Sequence, residues 1–237
     1  MNTAVRLRRE MLLRLPKAPA IGPCTRQSAR CPDARDYLTE LRPCCRSHLI
    51  ETMSAVVEVF KEVGCKWWAD YGTLLGAVRN PLTTWSDYPW LPQEGRPEGP
   101  IPPGIIPHDK DCDVGVLAEH WHLIYRAIPK LRRRGFHVVL RTWSRSIKVR
   151  YSEKNHTNVD VFTWAPTANG AMARRTYIGI DKYKGREFPR SWVSELSEVE
   201  WEGLRIPAPR NPEQFCEFRY GPDWRTPLPA NNDGVPR

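Results

Sequence analysis

The sequence predicts an α+β domain, and two observations support this fold class. Stripes of apolar residues at helical spacing alternate with short apolar strands, in the order helix, strand, helix, strand, helix and then further strands. The chain has 237 residues, of which 41% are hydrophobic, so it is long enough for one substantial core.

The N-terminal part is predicted to contain a basic, poorly ordered arm at residues 1–23, followed by a segment at 24–66 that combines clustered cysteines with a helix. Gly64 is a natural residue to follow the C-terminus of that helix. One helical stripe is expected to face the core; it consists of Leu49, Met53, Val56, Val57 and Phe60.

The clustered cysteines suggest a structural metal site. Four thiolates within twenty-two residues can close a tetrahedral Zn²⁺ site and staple a loop-rich segment. Their spacing is not the common paired CxxC, so two disulfides or scattered buried thiols remain alternatives. The seven cysteines of the chain leave one unpaired in any all-disulfide scheme. The candidate zinc ligands are Cys24, Cys31, Cys44 and Cys45.

The third predicted unit, residues 67–237, begins with a strand that breaks at Gly72-Thr73 into a helix. Backbone N–H groups at such a helix start form a ready anion site, although any strand–helix junction can carry this pair. Residues 80–106 are rich in proline and glycine without periodicity, which predicts a long loop that could act as a lid.

An acidic run follows, with Asp109, Asp111 and Asp113 at every second residue of a predicted strand over residues 105–117. At this period the three carboxylates would line one face, while the alternate residues point into a core. Three like charges repel each other, and a hard cation such as Mg²⁺ or Mn²⁺ would offset them. A solvated acidic turn is the alternative.

A helix is predicted after the acidic run, followed by strands at 136–143, 146–152 and 158–164 and a short closing helix near 211–221. Asp160 stands in the last of these strands between two valines, and a carboxylate there is unfavourable to bury unless it is paired or metal-bound. Lys148 and Arg150 share one face of the preceding strand and could meet a phosphate or pair with acids.

Composition narrows the function classes. A net charge of +9 favours anionic partners, such as nucleic acid or phosphorylated small molecules. No run approaches the apolar length of a membrane span. The charged start does not resemble a secretory signal, so a cytoplasmic location is expected for the chain as given.

Several motifs together resemble the LicD family. They are GTLLGAVR, the acidic strand PHDKDCDVGV, NVDVF and the late RYGPDW, and they span about residues 67–224. The resemblance implies a nucleotidyltransferase fold of the DNA polymerase β type, with a mixed sheet flanked by helices. The cysteine arrangement is similar to that of the zinc-bearing, fukutin-related members, which implies structural zinc at the four cysteines.

The resemblance also implies an activity. Relatives transfer a phosphorylated alcohol, of the ribitol phosphate or phosphocholine type, from a CDP-activated donor to a hydroxyl of a glycan or glycoconjugate acceptor, with release of CMP. No nucleic-acid partner is then expected, and the Golgi lumen becomes the expected compartment if the chain is part of an anchored enzyme.

Family roles can be assigned to matching residues. Asp111, Asp113 and Asp160 would hold Mg²⁺ or Mn²⁺, and Asp109 would be a further ligand or the base that activates the acceptor. A donor-phosphate site would be formed by Gly72, Thr73 and Arg79, with Lys148 as a weaker candidate. No role follows for Tyr220, Gly221 and Trp224, for which packing is the alternative.

Two departures from the family pattern concern the pocket: His108 stands where relatives often carry tryptophan, and the 80–106 loop is long. Two other functions remain open. A nucleotidyltransferase would use the same acids and release pyrophosphate. A non-catalytic, zinc-containing module would bind a polyanion, although a groove lined by carboxylates suits that poorly without metal.

Overall fold

The computed structural model describes residues 24–29, 39–142, 144–176, 179–180 and 187–229. The predicted arm at 1–23 and the candidate zinc ligand Cys31 lie outside these ranges. Within them, a mixed sheet is flanked by helices, which confirms the predicted α+β class. No helix in these ranges is long and apolar enough to cross a membrane.

The helices lie close to their predicted places. The first begins with proline in its first turn and ends at Gly64, whose φ of 72° is readily adopted by glycine. Its predicted apolar stripe is buried, except for the half-buried Val57. The helices are α1 (Pro43–Val63), α2 (Tyr71–Arg79), α3 (Trp121–Arg133), α4 (Ser191–Ser194) and α5 (Pro212–Tyr220).

The strands form one large sheet and a separate hairpin. The large sheet contains β1 (Trp67–Ala69), β2 (Cys112–Leu117), β3 (His137–Arg141), β4 (Ser146–Arg150), β5 (Asn158–Pro166), β6 (Ala171–Thr176), β7 (Gly179–Ile180) and β8 (Phe188–Pro189). The hairpin pairs β9 (Ser197–Trp201) with β10 (Leu204–Ala208).

The central strand order is β1-β2-β5-β4-β3. The β2–β5 pair is parallel, and its other neighbours pair antiparallel, so the sheet is mixed. Helix α1 packs against α3 and also contacts β4 and β5. Alternate residues of the central strands are fully buried, as the period of two predicts; they include Val114, Val116, Val159 and Val161.

The acidic run differs from the prediction at its start. The strand begins only at Cys112, so Asp109 and Asp111 precede it. The chain turns first, because the Asp109 N–H donates to the Ile106 carbonyl at 2.9 Å and the Asp109 carboxylate accepts the next backbone N–H. The predicted core positions, Cys112, Val114 and Val116, are buried.

The 80–106 segment is a compact excursion with two short 3₁₀ turns, Asn80–Leu82 and Trp85–Asp87. Asn80 fastens its ends, because its Nδ2 lies 3.2–3.3 Å from three carbonyl oxygens near residues 102–105. Inside it, the ring of Tyr88 is buried against His108. A role as a lid remains a prediction.

Candidate functional site

Two carboxylates meet at the parallel centre of the sheet. Asp113 of β2 is the register partner of Asp160 of β5, so their side chains leave the sheet on the same face. We call this the acid face. Burial raises the pKa of Asp113 well above its ordinary value, and the neighbouring charges of Asp111, Asp160, Asp109 and Asp70 raise it further.

Lys148 belongs to the same face. It is aligned with Asp160 across β4 and β5, and its Nζ lies 2.9 Å from Asp160 Oδ2. Asn158 Nδ2 donates to the same carboxylate oxygen at 3.1 Å, and Asn158 Oδ1 accepts from Lys148 at 3.3 Å. Of the two roles that the sequence left open for Lys148, the structure places it with an acid.

The acid face suits a divalent cation chemically. Burial first and then the charges of neighbouring acids raise the pKa of Asp113, and a hard cation bound by the carboxylate oxygens would offset that mutual repulsion. Among the described residues, however, no group of three or more His, Cys, Asp or Glu side chains is arranged to enclose a metal ion. The assignment of Asp111, Asp113 and Asp160 as ligands therefore stays a prediction.

The start of α2 is tied to the acid strand. The Asp113 N–H donates to Thr73 Oγ1 at 2.7 Å, and the Asp70 N–H donates to the Asp113 carbonyl at 3.1 Å. Thr73 is only 2% exposed. Its hydroxyl oxygen thus helps to position the backbone of Asp113, and the phosphate contact predicted for Thr73 stays a prediction.

Gly72 is required by a close approach of Asp109. A Cβ placed on Gly72 would lie 2.2 Å from Asp109 Oδ2, well inside van der Waals contact. The Asp109 carboxylate therefore lies against the first turn of α2, where helix backbone N–H groups favour an anion. A carboxylate of the acidic run thus lies beside the helix start that was predicted to bind a donor phosphate, and the phosphate contact of Gly72 stays a prediction.

Arg79 is the third residue that was predicted to contact the donor phosphates. It is the last residue of α2, at the opposite end of the helix from Gly72 and Thr73, and its side chain is 1% exposed. Its charge acts on the Cys216 thiol of α5. The prediction that Arg79 contacts the donor phosphates stays a prediction.

Two residues that the sequence did not single out are central to the site. Asp70 is the N-cap of α2, and its Oδ1 accepts from the Tyr71 N–H and from Arg219 Nη2, each at 2.9 Å. Its Oδ2 accepts from Trp164 Nε1 at 3.0 Å. Burial alone would lower the pKa of Arg219, but the charge of Asp70 helps to raise it overall. A buried acid with these donors is positioned with little freedom.

The late RYGPDW motif now has a structural explanation. Its Arg219 reaches Asp70 and lies over the rings of Tyr71 and Trp164, with distances to the centroids of 4.3 and 5.1 Å. Gly221 ends α5 with a φ of 91°, and Trp224 is buried. Packing thus accounts for these two residues. Their motif partner Tyr220 has a pKa that burial raises.

Tyr71 is the first residue of α2 and has a φ of 41°, which is unusual for a residue with a side chain. The rings of Tyr71 and Phe162 pack edge to face, with their centroids 5.4 Å apart. The Arg174 guanidinium lies 3.9 Å from the centroid of the Phe162 ring. Burial raises the pKa of Tyr71 to about 12. Phe162 follows Asp160 on the acid face, so this aromatic group borders the acids.

The predicted zinc segment is described only in part. Cys24 Sγ lies 3.7 Å from Cys44 Sγ, and Cys45 is buried. Burial lowers the pKa of the nearby His48, which packs on Tyr151 at 3.9 Å. The proximity of two of the four cysteines agrees with a zinc site but does not test it, so zinc remains a prediction.

The chain is similar to known proteins over much of its length. Residues 103–211 match the family described as LicD/FKTN/FKRP, nucleotidyltransferase domain. Ribitol 5-phosphate transferase FKRP of Mus musculus and that of Homo sapiens are each 30% identical over 217 residues, covering 84% of this chain and 38% of the relative. The chain thus spans well under half of these relatives.

Two further proteins are more distant. Ribitol-5-phosphate transferase FKTN of Mus musculus is 22% identical over 77% of this chain and 34% of the relative. The solved structure of the lincosamide antibiotic adenylyltransferase LnuA, with lincomycin bound, has 14% identity and a TM-score of 0.40, covering 71% of this chain and 84% of that one.

Proposed function

Because this chain belongs to the LicD/FKTN/FKRP family of nucleotidyltransferase domains, we propose that it transfers ribitol phosphate from a CDP-activated donor to a hydroxyl of a glycan acceptor. The observation that carries the proposal is the alignment of Asp113 with Asp160 on one face of the sheet. The names of the FKRP and FKTN relatives favour ribitol phosphate over phosphocholine.

In the proposed reaction, the acceptor oxygen forms a bond to the phosphorus that carries ribitol. The bond from that phosphorus to the bridging oxygen breaks, and CMP leaves with the bridging oxygen. The acceptor hydroxyl loses its proton to a carboxylate, for which we propose Asp109. The ribitol phosphate becomes a phosphodiester, so all atoms and charges are accounted for.

The residues would divide the work as follows. Asp111, Asp113 and Asp160 would hold Mg²⁺ or Mn²⁺, which when bound would neutralise phosphate charge. Lys148 would exchange its contact with Asp160 for one with a donor phosphate. Asp70 and Thr73 would act as positioning residues, because they hold the backbone of Asp113.

Zinc is proposed for a different purpose. Cys24, Cys31, Cys44 and Cys45 would bind structural Zn²⁺, which would staple the segment before α1. Two contacts of Arg26 already dock this segment on the domain, because its guanidinium donates to the carbonyls of Gly135 and Tyr151 at 2.8 and 2.5 Å. We propose that zinc adds stability and takes no part in the transfer.

Product analysis tests the proposal. Purified chain is incubated with Mn²⁺, a glycan acceptor and either CDP-ribitol or CTP plus ribitol 5-phosphate, and nucleotide products are separated by chromatography. Ribitol-phosphate transfer predicts CMP from CDP-ribitol, and its loss in Asp160→Asn. Pyrophosphate release from CTP without CMP from CDP-ribitol would instead assign nucleotidyl transfer.

A further inference from the structure

An arginine lies on the acid face beside the lysine already described. Arg150 is aligned with His137 of β3 and with Asn158 of β5. Residues two apart on a strand point to the same side, so Arg150 shares its face with Lys148 and Asp160. The acid face therefore carries carboxylates on β2 and β5 and cationic side chains on the neighbouring strand β4.

Arg150 has unsatisfied donor capacity. Its Nε is buried and has no hydrogen-bond partner, and within the described ranges no carboxylate forms an ion pair with its guanidinium. Lys148, on the same strand, differs because Asp160 holds it. A buried N–H group without an acceptor is unfavourable, so an acceptor supplied by a ligand would relieve this cost.

A second arginine acts on the first. Arg141 is the last residue of β3, is exposed, and is aligned with Ser146 on the same side of the sheet. Burial lowers the pKa of Arg150, the charge of Arg141 lowers it further, and Asp160 opposes both. Both arginines lie on the same face of two neighbouring strands, so an anion bound over that face would be attracted to both.

The chemistry of the pair favours phosphate. A guanidinium presents its N–H donors in a planar fork that matches two oxygens of a phosphate. The site also lies beside Asp160, where the diphosphate of the donor would bind in the proposed reaction. A carboxylate ligand would meet the neighbouring acids with the same kind of repulsion but would offer fewer oxygens.

We propose that Arg150 and Arg141 form a phosphate-binding site on the acid face, beside Lys148. The phosphoryl oxygens come either from the donor diphosphate or from a phosphate group on the acceptor. The choice of these two molecules as phosphate sources rests on the proposed function. The existence of the site is inferred from the two arginines alone.

The site is tested with inorganic phosphate as the probe, without divalent metal, by isothermal titration calorimetry. The variants are Arg150→Gln and Arg141→Gln, with Arg133→Gln as a control for the loss of one positive charge on helix α3. We expect phosphate affinity to fall at least about tenfold in each site variant, because each loses a charge-assisted contact. Arg133→Gln should bind as the wild type does.

A further variant of Arg150 controls for loss of phosphate binding that is caused by misfolding. Arg150→Lys keeps the charge but loses the planar fork, so it should bind phosphate with intermediate affinity, and urea unfolding should show that all variants are folded. Phosphate affinity that is the same in the wild type, Arg150→Gln and Arg141→Gln would overturn the proposal.

Donor titrations separate the two sources. If the donor supplies the phosphate, Arg150→Gln weakens CDP-ribitol binding in the presence of Mn²⁺. If the acceptor supplies it, CDP-ribitol binding is unchanged, and inorganic phosphate still binds the donor-loaded wild type but not the donor-loaded variant. Failure of CDP-ribitol to bind any form would contradict the proposed donor, while the metal-free phosphate titration would still decide the arginine site.

Discussion

Arg219 Nη2 lies 2.9 Å from Asp70 Oδ1, and this buried pair joins positions that are 149 residues apart. The pair connects helix α5 to the first turn of α2, and Asp70 in turn donates its N–H to the Asp113 carbonyl. The late motif of the chain thus supports the position of a carboxylate on the acid face through Asp70.

Replacing Arg219 with alanine should destabilise the fold. It would leave Asp70 buried without its cation, and breaking one partner of a buried pair costs about 3–5 kcal/mol. Urea denaturation measures the free energy of unfolding. The matched control is Arg225→Ala, which breaks an exposed pair with Glu213 and should have a much smaller effect. Equal losses in the two variants would contradict the importance of the buried pair.

Gly72→Ala should displace Asp109, because the new methyl group would lie 2.2 Å from Asp109 Oδ2. We expect a measurable drop in melting temperature and a loss of CMP release of about tenfold or more. A double-mutant cycle with Asp109→Ala provides the control, since removing the carboxylate should relieve the clash. The account fails if Gly72→Ala destabilises the Asp109→Ala variant as much as it destabilises the wild type.

The stability of the metal-free protein should depend on Asp113. Since the folded state raises the pKa of this group, its contribution to stability is fully present below the unfolded value, about 3.9, and is lost as the pH rises through the folded value. In EDTA, the wild type should therefore lose stability relative to Asp113→Asn as the pH increases through the folded-state pKa of Asp113. Melting temperatures across pH measure the difference, and adding Mn²⁺ should restore the wild type but not the variant.

An unchanged difference between wild type and Asp113→Asn at every pH would show that Asp113 does not titrate differently in the folded state. An equal response of the two proteins to Mn²⁺ would separate the metal from this carboxylate.

Lys148 should compete with the metal ion. Its Nζ contacts Asp160 Oδ2 at 2.9 Å, so Lys148→Met should free that oxygen and remove a repelling cation. We expect Mn²⁺ to bind several times more tightly and CDP-ribitol more weakly. Calorimetric titration of Mn²⁺ measures the first effect, and the exposed Lys154→Met is the control. Weaker Mn²⁺ binding in Lys148→Met would contradict competition.

Much of this site was predictable from the sequence, because the alternation of apolar residues along a strand indicates which of its faces is buried. The apolar residues at period two marked β2 and β5, and with them Asp113 and Asp160. The same rule failed for Asp109, since a turn ends before the strand begins and no periodicity reveals it.

Tertiary contacts were not predictable. Asp70 precedes a helix, where an aspartate is an ordinary N-cap, and nothing local indicates that Arg219 would reach it. The Gly-Thr pair was predicted to bind phosphate, and that stays a prediction; nothing local indicates that Thr73 also holds a backbone N–H or that Gly72 leaves room for a carboxylate. The role predicted for Arg79 rests on the family resemblance, and no local pattern indicates that its side chain is buried at the end of α2.

The central claim is that the acid face binds a CDP-activated ribitol phosphate through a divalent cation. Isothermal titration of CDP-ribitol tests it, with Mn²⁺ or EDTA, on the wild type and on Asp111→Ala. The account predicts binding that requires Mn²⁺ and is lost in the variant, with weaker binding of CDP-choline and CTP. Binding that is equally tight in EDTA or in Asp111→Ala, or the absence of binding to the wild type, would contradict it.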